Sequence, residues 1–210
     1  MAPALLVIAK APLPGRAKTR LTPPCSPEQA AELAAAALAD TLDTALAARH
    51  AGRRILVFEG DAGRFARGFE VVPQRGGGLD ERLAAAFEDA GGAAMLIGMD
   101  TPQVTPALLD AGLRTLERHD AVFGPATDGG YWAIGLRRPD RAVFEGVPMS
   151  VAHTGAVQRA RLDQLGLAVA PLPPLCDVDD IDDARVVAAE APSGRFAAAL
   201  RAAGVEELAA

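Results

Sequence analysis

What this 210-residue chain lacks narrows its class first. It has two cysteines, Cys25 and Cys176, far apart and in no C-x-x-C pair, which fits a reduced cytoplasmic protein. Its first apolar run is too short for a membrane span or a signal peptide core, and no charged segment precedes it. No internal repeat or low-complexity linker interrupts it. Broad nucleic-acid binding is disfavoured by a net charge of −6. Two nucleotide-binding signatures are missing as well: there is no Walker A motif and no G-x-G-x-x-G fingerprint. The three histidines are sparse, and His50 and His119 fall at predicted helix ends, which leaves only His153 near plausible site elements. Acidic residues are absent before Glu28.

That last absence sets off the stretch Lys10–Leu21, KAPLPGRAKTRL. It follows the run Ala4–Ala9, which reads as a buried parallel strand feeding a loop. The loop carries Lys10, Arg16, Lys18 and Arg20 around Gly15, with no acid nearby in sequence. Backbone amides of a Gly/Pro loop together with cations suit polyphosphate binding.

The rest of the chain alternates short apolar runs with helical periodicity. Ser26-Pro27-Glu28-Gln29 predicts a capped helix start, and Leu38, Leu42 and Leu46 continue one apolar stripe to Gly52. Strands are predicted at Arg54–Phe58, Phe69–Val72, Ala94–Gly98, Asp120–Gly124, Tyr131–Leu136 and Leu167–Ala170. Helices are predicted at Leu79–Ala90, Pro106–Arg118 and Thr154–Gly166, with Ala-rich helices running to Ala210. The pattern implies one domain over residues 1–210: an α/β fold of three layers, α/β/α, around a mostly parallel sheet.

Three further stretches carry polar chemistry. Asp100, in IGMDTP, directly follows a buried strand, where open α/β sheets bind ligands. A single carboxylate there suits Mg²⁺ that also touches phosphates. Thr105 before Pro106 is the better cap for the next helix, so Asp100 has no capping duty. In Asp128-Gly129-Gly130-Tyr131 a tight turn precedes a strand and leaves bare backbone beside the chain's only Tyr and only Trp, Tyr131 and Trp132. Period-2 alternation puts one of those two in the core. Asp177–Asp183 holds five Asp in seven positions. Asp180, Asp182 and Asp183 suit a helix start, whereas Asp177 and Asp179 alternate on an extended piece and can face one way.

KAPLPGRAKTRL, the turn Gln74-Arg75-Gly76-Gly77-Gly78 with the following Arg82-Leu83, IGMDTP and DGGYWAIGL resemble the motifs of the bacterial DUF2064 family, assigned to the nucleotide-diphospho-sugar transferase (GT-A) superfamily, and the Asp177–Asp183 stretch resembles the acidic segment that closes many nucleotidyltransferase domains. The first of them is also similar to the Lys-rich loop of phospholactate guanylyltransferases. The resemblance covers nearly the whole chain. It implies a GT-A fold and a metal-dependent transferase with a nucleotide donor and a small acceptor. It also implies base-site roles for Gln74 and Gly76, a structural role for Arg82, and a second metal ligand from Asp177 or Asp179. Met149-Ser150 departs from the family's Trp-Ser.

Together these readings make Asp100, Asp177 and Asp179 the expected ligands of Mg²⁺ or Mn²⁺. Lys10, Arg16, Lys18 and Arg20 are the expected cations on the phosphates, and Gly15, Gln74, Gly76, Gly129, Gly130 and Tyr131 the expected binding residues. The leading expectation is nucleotidyl transfer from an NTP to a phosphate or carboxylate acceptor, which needs no general base. The alternative is glycosyl transfer from a nucleotide sugar, with Asp128 as base. A third is a non-catalytic nucleotide-binding protein.

Overall fold

A computed structural model describes residues 2–205. Seven strands form one sheet in the order β3-β2-β1-β4-β6-β5-β7. These are β1 Ala4–Lys10, β2 Arg54–Glu59, β3 Glu70–Pro73, β4 Ala94–Ile97, β5 Ala121–Pro125, β6 Tyr131–Leu136 and β7 Val169–Pro171. The pairs β3-β2, β2-β1, β1-β4 and β5-β7 are parallel. The expected mostly parallel sheet is present, but β6 runs antiparallel to both β4 and β5. The cause is local: the five residues from Ala126 to Gly130 allow only a hairpin, because a parallel crossover needs a dozen or more.

Strand order reverses between β1 and β4. From β1 the chain steps outward to β2 and β3, then returns to place β4 on the other side. The crossovers leave a crevice above the carboxyl ends of these two central strands. Lys10 ends β1, and Gly98–Asp100 follows β4, so both reach that crevice.

Alternation along the strands feeds two cores. Leu5, Val7, Met95 and Ile97 face α1 (Pro27–Ala47) and α3 (Pro106–Thr115). Leu6, Ile55, Val57 and Leu96 face α2 (Leu79–Ala90) and α4 (Thr154–Gln164). The three-layer arrangement follows. A third apolar cluster joins the outer side of α1 to α5 (Ile181–Glu190) and α6 (Arg195–Ala203). Burial on two sides explains why α1 is so rich in alanine: the helix approaches both neighbours closely.

Local signals are realised. Ser26 and Gln29 form a reciprocal capping box, and Thr105 accepts from the Leu108 N–H. Asp180 caps α5 in a second box with Asp183. Helix α1 stops at Ala47 and α3 at Thr115, short of the predicted ends, and the predicted C-terminal helices are seen to Ala203; residues 206–210 lie outside those described. Among the described residues, no helix is long and apolar enough to cross a membrane.

Candidate active site

A cleft of about 730 Å³ opens at the carboxyl edge of β1 and β4. Lys10, Arg20, Gln74, Asp100, Asp128, Gly130, Tyr131, Asp177 and Asp179 border it. Residues from across the chain thus meet in one place, and backbone hydrogen bonds show how. The Val178 N–H donates to the Asp100 carbonyl at 2.9 Å, and the Thr127 N–H donates to the Leu175 carbonyl at 3.0 Å. The segment 175–179 is therefore laid between the loop after β4 and the β5–β6 hairpin. Its acids face Asp100 on one side and Asp128 on the other.

Asp128, Asp177 and Asp179 each offer a carboxylate oxygen, and these lie within 4.8 Å of one another. Oxygens around one Mg²⁺ at roughly 2.1 Å stand about 3 to 4 Å apart. Asp128 is held by the Gly130 N–H, which donates to Oδ1 at 2.6 Å. Asp177 Oδ1 is buried and has no hydrogen-bond partner. Its carboxyl is pushed up to about 6, first by burial and then by the charges of Asp128, Asp179 and Asp100. A buried carboxylate oxygen without a donor, crowded by other acids, fits a divalent cation with hard oxygen ligands. Asp128, considered from the sequence as a base, stands in this group with Asp177 and Asp179, and Asp100, also expected there, stands beside it.

Asp100 is held by Lys18. The ammonium lies 2.6 Å from Asp100 Oδ1 and also donates to the Val178 carbonyl. The Lys18 side chain is only 8% exposed, whereas that of Arg20 is 71% exposed. Arg20 pairs with Asp179 at 2.6 Å. The cations with no acid nearby in sequence thus find acids more than 80 residues away, because the fold brings the chain's two charged segments together. Lys18 binds the segments as a tie, which a free phosphate ligand would not do. Removing it leaves a carbonyl and a carboxylate without their donor. We expect Lys18→Ala to lower the unfolding free energy by about 2 kcal/mol, read by urea denaturation without ligand.

Other predicted residues divide. Lys10 and Arg20 border the cleft, whereas Gly15, Arg16 and Lys18 do not. Gln74 borders it, but its amide is already engaged. Nε2 donates to the Ala9 carbonyl at 2.8 Å, and Oε1 accepts from Arg82 at 3.1 Å. Arg82 also pairs with Glu59. This brace across the ends of β1, β2 and α2 leaves the Gln74 side chain poorly placed to read a base. Gly76, at φ 114°, packs on Glu81 outside the cleft. Gly129 is also outside; at φ 91° it packs on the Ala152 carbonyl and seats the segment before α4.

Trp132 is the core member of its pair, buried with its indole N–H donating to the Pro173 carbonyl at 2.9 Å. Tyr131 is half-buried, with its hydroxyl 3.4 Å from Gln158 Oε1. Sequence reasoning missed Leu79, Val151 and Thr154 as cleft residues. No local signal marks them, since the apolar wall of a site looks like any helix face or loop.

The fold class is that of the nucleotide-diphospho-sugar transferases. Within it, the chain belongs to the DUF2064 family, described as uncharacterized proteins conserved in bacteria, whose model matches residues 32–151. A crystal structure from Desulfovibrio desulfuricans G20, of a protein assigned as a nucleotide-diphospho-sugar transferase, is 29% identical. It aligns over 98% of this chain and 97% of its own, with a TM-score of 0.88. CMP:2-keto-3-deoxy-manno-octonic acid synthetase in complex with CTP shares the fold at 12% identity, TM-score 0.63, covering 92% of this chain and 100% of that one. Rv0371c of Mycobacterium tuberculosis H37Rv, in complex with manganese, does so at 23% identity and TM-score 0.50, covering 89% and 98%. No curated protein matches the chain in sequence.

Proposed function

We propose that this chain, acting as one domain over residues 1–210, is a metal-dependent nucleotidyltransferase. It would join the nucleoside monophosphate of a triphosphate to a phosphate or carboxylate acceptor and release pyrophosphate. The observation that carries the proposal is the cleft itself: three carboxylates within 4.8 Å face two exposed cations, Lys10 and Arg20, across the switch point of the sheet. Nucleotide-handling proteins of the same fold support it.

Asp128, Asp177 and Asp179 would hold Mg²⁺ or Mn²⁺. Such an ion, when bound, supplies charge neutralisation and orientation of phosphate oxygens. Lys18 fixes Asp100 beside this group and so sets the position of the segment that carries Asp177 and Asp179. Lys10 and Arg20 would take the phosphates and stabilise the leaving pyrophosphate. The Arg20–Asp179 pair is exposed and therefore weak, so the guanidinium can turn to a phosphate at little cost. The acceptor is already anionic and needs no base. With Asp128 standing in the acid group, the residue considered for activating a hydroxyl is committed elsewhere, which favours nucleotidyl over glycosyl transfer.

Calorimetry on Arg20→Ala with Mn²⁺ tests the assignment. Triphosphate affinity should fall about ten- to a hundredfold, with nucleoside affinity unchanged, because a charge-assisted contact is worth roughly 1.5–3 kcal/mol. Equal weakening toward nucleoside and triphosphate would place Arg20 at the base and reject its role on the phosphates. The released product separates the two chemistries: pyrophosphate for nucleotidyl transfer, nucleoside diphosphate for glycosyl transfer.

A further inference from the structure

Asp100 stands beside the three carboxylates without joining them. Oxygens of Asp128, Asp177 and Asp179 lie within 4.8 Å of one another, and among the described residues Asp100 belongs to no such group. Its partner is an ammonium. Lys18 Nζ lies 2.6 Å from Asp100 Oδ1 and donates to the Val178 carbonyl. Val178 is the residue between Asp177 and Asp179, so the ammonium touches the backbone that carries two of the three carboxylates. The Val178 N–H donates in turn to the Asp100 carbonyl at 2.9 Å. Lys18 and Asp100 therefore hold Val178 at both its carbonyl and its N–H.

The two cations paired with these acids differ in freedom. The Arg20 side chain is exposed, and water can receive its guanidinium when it leaves Asp179. Lys18 is almost wholly buried, and its backbone holds the left-handed φ of 50°, a setting kept where the surroundings fix it. Turning its ammonium away would give up a carboxylate and a carbonyl with little water to replace them. A divalent ion on Asp100 would have to displace that ammonium or share the carboxylate with it. Like charges at such a distance repel strongly in a partly buried site.

Many phosphoryl-transfer sites use two metal ions about 4 Å apart. We propose that this site takes a single divalent cation, and that the Lys18 ammonium is its fixed second cation, which keeps Asp100 out of the ligand set. The proposal rests on the metal-dependent function and departs from the expectation that Asp100 binds metal. A charge built into the chain is present before any ion arrives. It places the segment 175–179 in the metal-free protein, and one ion completes the site.

Counting bound Mn²⁺ at saturation by electron paramagnetic resonance, without nucleotide, tests it. The wild type should bind one Mn²⁺ per chain. Lys18→Met removes the ammonium and keeps an apolar stem. It leaves a carboxylate and a carbonyl without their donor, and such hard oxygens suit a divalent ion. This variant should bind a second Mn²⁺, and the metal should raise its melting temperature more than it raises that of the wild type. Adding Asp100→Asn to Lys18→Met should return the count to one. Asp100→Asn alone, which keeps an oxygen for Lys18, should retain the single ion. Two ions on the wild type overturn the proposal, and so does a folded Lys18→Met variant that binds only one. Loss of the ion in Asp100→Asn would make Asp100 a ligand and also overturn it. If Lys18→Met does not fold, the wild-type and Asp100→Asn counts decide. Two ions on the wild type would leave the metal-dependent function standing and reject only the built-in cation. A wild type that binds no Mn²⁺ would reject both.

Discussion

Replacing Asp177 by Asn should abolish metal-dependent activity while leaving the metal-free protein at least as stable as the wild type at neutral pH. Asp177 Oδ1 is a buried acceptor with no donor, and its carboxylate is crowded by Asp128, Asp179 and Asp100. Loss of one ligand to a cation that neutralises phosphate charge removes about 3 kcal/mol or more, a hundredfold or greater fall in kcat/KM. The pH dependence has a definite sign. The folded-state carboxyl titrates at about 6, above its ordinary value, so between those two values the folded protein holds a proton that the unfolded chain has released. Asp177 therefore opposes folding at neutral pH, and that opposition fades as pH falls through 6. Metal binding moves the other way, because protons compete for the same oxygen. Thermal melts from pH 7.5 to 5 should show the stabilisation by Mn²⁺ shrinking in the wild type. In Asp177→Asn it should be absent throughout. A variant that keeps full stabilisation by Mn²⁺ would remove Asp177 from the ligand set.

Gly129→Ala should be the most damaging substitution outside the main cores. A Cβ built there lies 1.9 Å from the Ala152 carbonyl oxygen, and the backbone sits at φ 91°, where side chains are strained. Neither neighbour can give way cheaply. The Gly155 N–H donates to the Gly129 carbonyl at 2.8 Å, and a Cβ on Gly155 would itself meet Gly130. The cost should be about 3 kcal/mol or more, a fall of roughly 6–12 °C in melting temperature for a chain of this size. Because this contact seats Val151 and Ala152 at the border of the cleft, triphosphate binding should also weaken in any fraction that folds. An Ala variant that melts within about 2 °C of the wild type would show that the hairpin and the segment are not packed as described.

Much of the architecture was legible because local signals agreed with one another. Continuous apolar runs marked β1, β2 and β4, since strands covered on both faces cannot alternate. Ser26 with Gln29 marked the start of α1, and Asp180 with Asp183 that of α5, because capping is a contact between near neighbours. Asp100 was legible as a cleft residue from its place after β4. The antiparallel course of β6 was less so: the short hairpin implied it, but the repeated strand–helix pattern pointed to a parallel sheet.

What the sequence by itself determined is which residue types end each strand: cations after β1, an acid after β4, an Asp-Gly-Gly turn before β6 and an alternating acid pair near the C-terminal helices. Only the tertiary structure decided how these charges share one another. Lys18 falls to Asp100 and the Val178 carbonyl, Arg20 to Asp179, and Asp128 joins Asp177 and Asp179. These partners lie far apart along the chain. Their pairing depends on crossovers that return the chain to the same sheet edge, and on backbone hydrogen bonds that lay 175–179 between two loops. Coulomb attraction acts on distance in space, and no local pattern encodes that distance.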